Sequence, residues 1–208
     1  MTLCSRLWCC RHQKTPRVMM AFDLDETLFF AKRNKHTAQQ HLDCRHLPGD
    51  FISQINYTNT CRISEDNYVF YFLNTQGWSE LLSRLLKSNV DIILITNGSW
   101  QKKSTINRLN RAFKIELTPN THFLNRVDNK PNKLRYAFPY DDICLLDDKN
   151  DHLQSAIKHD IDFIHVRTKA EPMDLDMHIK AAHHWLDLQL SHPCDDIKTV
   201  SVNKLKSN

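Results

Sequence analysis

The stretch "VMMAFDLDETLFFAK", from Val18 to Lys32, decides the fold class because an apolar strand in it is followed directly by three closely spaced carboxylates. Its first five residues are all apolar, and the residues after them are polar and turn-forming. This pattern predicts a short, buried strand. The strand ends in Asp23, Asp25 and Glu26, whose like charges repel one another. A bound cation or a reaction must therefore offset this repulsion.

Strands and helices alternate along the rest of the chain. Apolar runs predict further strands at Asn67–Leu73, Val90–Thr96, Asp142–Asp148 and Asp162–Val166. Apolar residues at helical spacing predict helices at Gln76–Ser88, Lys102–Phe113, Asn132–Phe138, His152–His159 and Met173–Leu190. We expect the last of these helices to pack along a stripe of Met177, Ala181, Trp185 and Leu188. Because the strands lack polar alternation, the pattern predicts an α/β protein with a parallel sheet covered on both faces.

Composition limits the size and class of the protein. A chain of 208 residues suffices for one well-buried domain, and only three glycines exclude a Gly-rich phosphate loop. The net charge of +4 is too small to indicate nucleic acid as a partner. Seven irregularly spaced cysteines favour reduced thiols in a cytoplasmic compartment. No apolar run is long enough to span a membrane, so any membrane association would come from chain beyond Asn208.

We predict three parts: an N-terminal extension at 1–16, a domain at 17–190 and a polar tail or linker at 191–208. Residues 31–73 begin as a polar, His-rich, aperiodic segment, which indicates an insert of hairpin or loop with little helix. The histidines of the last helix, His178, His183 and His184, are more typical of packed or solvated side chains than of zinc ligands.

Polar residues follow three of the predicted strands at the point where each strand ends. They are Asp23 with Asp25, the run 96–99 (Thr-Asn-Gly-Ser), and Asp147 with Asp148. Ligands of open parallel sheets bind outside the carboxyl ends of the strands, so we expect these side chains to meet there. Carboxylate oxygens are the ligands that Mg²⁺ prefers. Each piece alone could be a turn or a helix cap, but three strand ends that agree favour a cation-binding or catalytic site at this edge.

The segments "FDLDETL", "LITNGS" and "LLDDKND" resemble the ordered motifs of the haloacid dehalogenase (HAD) superfamily. The D-x-D-x-T pattern of the first segment resembles the phosphatase branch, and "DLDETL" is similar to the phosphatases that act on the RNA polymerase II C-terminal domain. The resemblance implies a Rossmann-like three-layer sandwich with a small cap insert after the first strand. It also implies a Mg²⁺-dependent phosphatase.

The resemblance further implies a role for each matching residue. Asp23 would be the nucleophile that forms an aspartyl-phosphate, and Asp25 would be the general acid and then the general base. Thr96 would donate a hydrogen bond to the phosphoryl oxygens, with Asn97 and Gly98 beside it in the substrate site.

The metal and the remaining charges follow from the same resemblance. The Asp23 side chain, the Asp25 main-chain carbonyl and Asp148 would hold Mg²⁺, with Asp147 as a supporting acid. The motif lysine that balances the phosphate charge would be Lys130 or Lys133, and Lys130 fits the K-P pattern better.

The short insert favours an open site and a bulky substrate, namely a phosphorylated protein. Some aromatic residues near the motifs could line a slot for a phosphotyrosine ring, and others could be core: Phe29, Phe30, Tyr68, Tyr71 and Trp100. We therefore expect a protein phosphatase that prefers phosphotyrosine to phosphoserine or phosphothreonine. The alternatives are a small-metabolite phosphatase and a non-catalytic binding module. Low glycine with many Asn, Lys and His residues is also typical of an effector secreted by an intracellular bacterium, which would work in the host cytosol.

Overall fold

The computed structural model describes residues 17–33, 59–65, 67–88, 90–118, 121–166 and 172–191. In chain order its strands are β1 Val18–Asp23, β2 Phe30–Arg33, β3 Cys61–Ser64, β4 Tyr68–Phe72, β5 Asp91–Ile95, β6 His122–Leu124, β7 Asp142–Asp147 and β8 Asp162–His165. Its helices are α1 Thr75–Lys87, α2 Lys102–Phe113, α3 Lys130–Ala137, α4 His152–Lys158 and α5 Pro172–Ser191.

The central sheet has five strands in the order β6-β5-β1-β7-β8, and all of its pairs are parallel. The strand that opens the first motif, β1, therefore lies in the middle. Its register pairs Asp23 with Ile95 of β5 and Phe22 with Leu146 of β7. The carboxyl ends of β1, β5 and β7 thus lie side by side, which brings the three polar strand ends together.

Helices cover both faces of this sheet. Side chains of β1 alternate, so that Met20 and Phe22 enter the larger core with α1, α2 and α5. Met19 and Ala21 enter a smaller core on the opposite face with α3 and α4. This arrangement confirms the predicted three-layer α/β sandwich with a central parallel sheet.

The described part of the insert forms an antiparallel sheet in the order β2-β4-β3. Residues 34–58 of the predicted insert lie outside the described residues. Ile63, Phe70 and Phe72 are buried in the larger core together with α1 and α2. The hairpin of β3 and β4 agrees with the prediction for this segment, but its side chains belong to the main core of the domain.

Two local predictions between β5 and β7 need correction. The strand β6 was predicted as irregular chain, because its three residues are too few to show a period and only the edge of β5 organises them. Helix α3 begins at Lys130 rather than at Asn132. The Asn129 side chain caps it by accepting a hydrogen bond from the main chain of Asn132, and Pro131 fits its first turn.

The predicted stripe on α5 is wrong. Met177 and Leu188 are 56% and 46% exposed, and Ala181 is exposed as well. The buried row is Leu175, Ile179, Ala182 and Leu186, together with Trp185. The helix carries two apolar rows at helical spacing, and only the row that faces α1 and β8 is covered.

Glycine is scarce in this fold even where the backbone is left-handed. The described residues with positive φ are all non-glycine: Glu26, Asn74, Lys114, Arg126 and Asp160, with φ between 45° and 62°. Lys114 and Asp160 follow the ends of α2 and α4, which are positions where glycine is the favoured residue.

Among the described residues, Cys61 and Cys144 are free thiols. The predicted N-terminal extension, residues 192–208 of the predicted tail and the other cysteines lie outside the described part of the chain. No helix in the described part is both long and apolar enough to cross a bilayer.

Candidate active site

A cleft of about 940 Å³ opens at the carboxyl ends of the central strands. Asp23, Asp25, Gly98, Lys130 and Asp148 line its floor, and residues of the insert sheet and of α2 line its wall. Polar residues from the ends of β1, β5 and β7 therefore line one cavity, while Thr96 and Asp147 are buried.

A buried lysine lies between two buried aspartates at the base of the cleft. Lys130 Nζ lies 2.6 Å from Asp23 Oδ1 and 2.6 Å from Asp147 Oδ2. All three side chains are at most 3% exposed. Burial alone would lower the pKa of Lys130, but the charges of Asp23 and Asp147 raise it above its ordinary value. The ammonium therefore stays charged and can face an anionic substrate.

The second carboxylate partner of this lysine, Asp147, has further hydrogen-bond partners. It also contacts His152 Nδ1 at 3.0 Å and accepts a hydrogen bond from the Lys149 main chain at 2.8 Å. Burial would raise the pKa of Asp147, yet the hydrogen bonds from His152, Lys130 and Lys149 together with the Lys130 charge lower it. Asp147 is therefore a fixed anion that holds Lys130 in place.

Asp23, Asp147 and Asp148 each place one carboxylate oxygen so that the three oxygens lie within 4.8 Å of one another. Burial, and then the charges of Asp147 and Glu26, raise the pKa of Asp148 to about 6. Burial also raises the pKa of Asp23, against the opposing effect of Lys130. Ionising these clustered carboxyls is unfavourable unless a cation lies beside them, and hard oxygen donors suit Mg²⁺. These residues fit the predicted cation.

The second aspartate of the motif has different surroundings. Asp25 accepts hydrogen bonds from Thr96 Oγ1 at 2.8 Å and from Trp100 Nε1 at 2.9 and 3.0 Å to its two oxygens. Burial raises the pKa of Asp25, although both hydrogen bonds act to lower it. Asp23 is thus paired with a lysine ammonium and Asp25 with two neutral donors, and such contrasting partners suit a nucleophile and an acid.

Gly98 is required for space at this point. A Cβ atom there would lie 2.9 Å from Trp100 Nε1, 3.1 Å from Asp25 Oδ2 and 3.1 Å from Thr96 Oγ1. Its main-chain N–H donates to Thr96 Oγ1 at 2.8 Å. The glycine therefore lets these three polar groups converge.

Aromatic residues from the insert sheet form the wall of the cleft. Phe30 and Tyr68 of this sheet line it together with Trp100, which follows β5, and Phe29 and Tyr71 are not among its lining residues. All five side chains also belong to the larger core or pack against it. The guanidinium of Arg108 lies 4.1 Å above the Phe70 ring, and its Nε donates to Glu65 Oε1 at 2.7 Å. This ion pair joins α2 to the turn between β3 and β4.

The structure brings together most of the residues that the sequence proposed. Lys130 reaches the aspartates, whereas its rival Lys133 is exposed on the same helix. Asn97 and Gly98 line the cleft, and Thr96 is buried beneath it. The Asp25 carboxylate does not belong to the group of Asp23, Asp147 and Asp148. The expectation that the main-chain carbonyl of Asp25 binds the metal stays a prediction.

Sequence reasoning missed two contacts. His152 was predicted only as the start of a helix. The signal for its contact with Asp147 is its position five residues after that aspartate, at the start of the helix that follows the strand. Trp100 was considered only as an aromatic wall, and its hydrogen bond to Asp25 has no signature in the motif.

Comparisons with known proteins give a distant structural likeness. No family model and no curated protein matches the sequence. The fold is similar to that of a variant of the fission yeast RNA polymerase II CTD phosphatase Fcp1 bound to beryllium fluoride. The identity is 17% and the TM-score 0.41, over 83% of this chain and 51% of that chain. A second similar structure is that of Fcp1, an essential RNA polymerase II CTD phosphatase. Its identity is 16% and its TM-score 0.39, over 83% of this chain and 51% of that chain. The chain thus spans about half the length of these structures.

Proposed function

We propose that this protein is a Mg²⁺-dependent phosphatase that works through an aspartyl-phosphate. The observation that carries the proposal is the pair of carboxyls in one cleft with contrasting partners. Asp23 is 2.6 Å from a lysine ammonium, and Asp25 is held by two neutral donors. Such a pair supplies an anion for attack and an acid for proton transfer.

In the first half of the reaction, an Asp23 oxygen attacks phosphorus and the bond from phosphorus to the leaving oxygen breaks. Asp25 gives its proton to that oxygen. Lys130 lies beside Asp23, where its charge faces the transferring phosphoryl group. Mg²⁺ held by Asp23, Asp148 and the Asp25 carbonyl would offset the remaining negative charge.

In the second half, Asp25 is the base. It takes a proton from water as the water oxygen attacks phosphorus, and the bond between phosphorus and Asp23 breaks. Inorganic phosphate leaves, and both carboxyls return to their initial protonation states. Lys130 and Asp147 do not change protonation, since each is held by the other.

We propose a phosphorylated protein as the substrate, with phosphotyrosine favoured over phosphoserine and phosphothreonine. Phe30, Tyr68 and Trp100 line the same cleft as Asp23 and offer apolar surface for an aromatic ring. A volume of about 940 Å³ exceeds what a phosphate alone needs. The working compartment that goes with this substrate is the cytoplasm, or the host cytosol for a secreted effector.

The test is hydrolysis with and without Mg²⁺. We expect turnover of p-nitrophenyl phosphate and of a phosphotyrosine peptide, with kcat/KM at least about tenfold higher than for the matching phosphoserine peptide. EDTA should abolish it, and so should Asp23→Asn, because an amide is not a nucleophile here. Hydrolysis of sugar or nucleotide phosphates without hydrolysis of peptides would favour the small-metabolite alternative. A folded protein that hydrolyses none of these substrates would be a binding module.

A further inference from the structure

The indole of Trp100 is fixed between the insert sheet and the catalytic floor. Its ring makes edge-to-face contacts with Tyr68 and Phe70 at centroid distances of 5.4 and 5.6 Å, and with Phe29 at 5.7 Å. Its N–H reaches both oxygens of Asp25. The side chain therefore has little freedom to turn away from this carboxyl.

Thr96 cannot hold Asp25 throughout the reaction. A hydroxyl has a single proton to donate, and that proton now goes to Asp25 Oδ2 at 2.8 Å. The Thr96 oxygen already accepts from the Gly98 main chain. If Thr96 donates to the phosphoryl oxygens, as the motif resemblance implies, its bond to Asp25 must break.

We infer that Trp100 is the positioning residue that holds Asp25 in place while Thr96 donates to the phosphoryl group. This inference rests on the proposed phosphatase function. An indole N–H donates and never accepts, and it lies almost equally close to both Asp25 oxygens, so it can bind whichever of them carries no proton. The other oxygen can then carry the proton that goes to the leaving group. After proton transfer the same N–H stabilises the carboxylate that remains.

The experiment compares two aryl phosphates that differ in leaving group. The parameter is kcat/KM, which reports every step up to departure of the alcohol and excludes hydrolysis of the phospho-enzyme. In Trp100→Phe, which keeps a ring but loses the donor, we expect kcat/KM for phenyl phosphate to fall by about 10–100-fold. For p-nitrophenyl phosphate, whose leaving group needs less protonation, we expect a loss below about threefold.

Two further variants keep the test sharp. Because Trp100 acts through Asp25, Trp100→Phe should cause no further loss in an Asp25→Asn background, as in a fully coupled double-mutant cycle. Gly98→Ala should instead lower kcat/KM for both substrates, since its Cβ would lie 2.9 Å from Trp100 Nε1 and 3.1 Å from both Asp25 Oδ2 and Thr96 Oγ1, and so disturbs the phosphoryl donor as well as the indole.

The chain offers a matched control in Trp185. Its Nε1 also donates to an aspartate, Asp162 Oδ2, at 2.7 Å. Asp162 begins β8 and so lies at the edge of the sheet opposite the cleft. Trp185→Phe removes the same group and the same kind of bond, and we expect it to leave both kcat/KM values unchanged.

The outcomes separate the inference from the proposed function. A wild-type protein that hydrolyses neither aryl phosphate would overturn the phosphatase proposal. A wild-type protein that is active, with equal losses for both substrates in Trp100→Phe or additive losses with Asp25→Asn, would overturn only the role of Trp100. Activity of Trp100→Phe equal to that of the wild type on phenyl phosphate would do the same.

Discussion

At the scale of single residues, Lys130 is the side chain on which the buried charges depend. It separates Asp23 from Asp147, and both carboxylates lose their counter-charge if it is removed. We expect Lys130→Met to lower the free energy of unfolding by roughly 3–5 kcal/mol, because it leaves two buried carboxyls without their cation. Chemical denaturation measures this loss, and activity should fall with it.

Lys133→Met is the control, because Lys133 lies one turn further along α3 and is exposed. We expect its free energy of unfolding to stay within about 0.5 kcal/mol of the wild-type value. Equal effects of the two substitutions would contradict the buried ion-pair network.

A second prediction concerns Asp148 and the pH. The pKa of Asp148 is about 6 in the folded protein, against an ordinary value of 3.8, so the folded state binds its proton more tightly. The metal-free fold therefore loses stability as the pH rises from about 3.8 through about 6. Mg²⁺ needs the ionised form, so its affinity should fall about tenfold per pH unit below that pKa. The rise in melting temperature caused by Mg²⁺ should thus be larger at pH 7.5 than at pH 5.

Asp148→Asn should remove most of this Mg²⁺ effect at both pH values. Asp142→Asn is the matched control, because burial also raises the pKa of Asp142 but this residue lies at the other end of β7. It should respond to Mg²⁺ as the wild type does. A Mg²⁺ effect that is independent of pH in the wild type would show that Asp148 is not a ligand.

At the scale of elements, the ion pair between Arg108 and Glu65 ties α2 to the insert hairpin. Arg108 is only 8% exposed, so its buried charge needs the carboxylate of Glu65 to neutralise it. We expect Glu65→Gln to cost about 1.5–3 kcal/mol of stability and to speed amide exchange in β3 and β4. Denaturation and hydrogen exchange measure the two effects.

Asp187→Asn provides the comparison, since it breaks the ion pair of Asp187 with Arg84 on the surface, where the side chains are 58% and 34% exposed. We expect a clearly smaller loss of stability there, because solvent screens an exposed ion pair. If both variants lost the same stability, the burial of Arg108 would have no energetic consequence.

The elements also show what sequence can and cannot predict. Long apolar runs such as β1 and β7 were found because burial on both faces leaves no polar alternation. The strand β6 and the covered row of α5 were not found, because neighbouring elements determine them. Likewise the acidic strand ends indicated the site, whereas the bond from Trp100 to Asp25 depends on the packing of the insert sheet.

At the scale of the whole molecule, the insert sheet and the central sheet share one core. Phe70 of β4 and Leu94 of β5 belong to the same buried cluster. We therefore expect one cooperative unfolding transition, in which amides of β1 and β4 lose protection at the same denaturant concentration. Phe70→Ala and Leu94→Ala should each lower the free energy of unfolding by about 2–5 kcal/mol. Each should also lower the denaturation midpoint of both sheets. Earlier exchange in β4 than in β1 would show that the insert unfolds alone.

The left-handed backbone at Lys114 and Asp160 gives two positions where a substitution can stabilise the protein. Each holds a side chain where the backbone favours glycine, and both positions are exposed and lie outside the cleft. Replacing both with glycine should add roughly 1 kcal/mol or more in total, because relief of the left-handed strain exceeds the added chain entropy. The result would be a reinforced scaffold in which substitutions of the buried aspartates can be purified and assayed without loss of the fold.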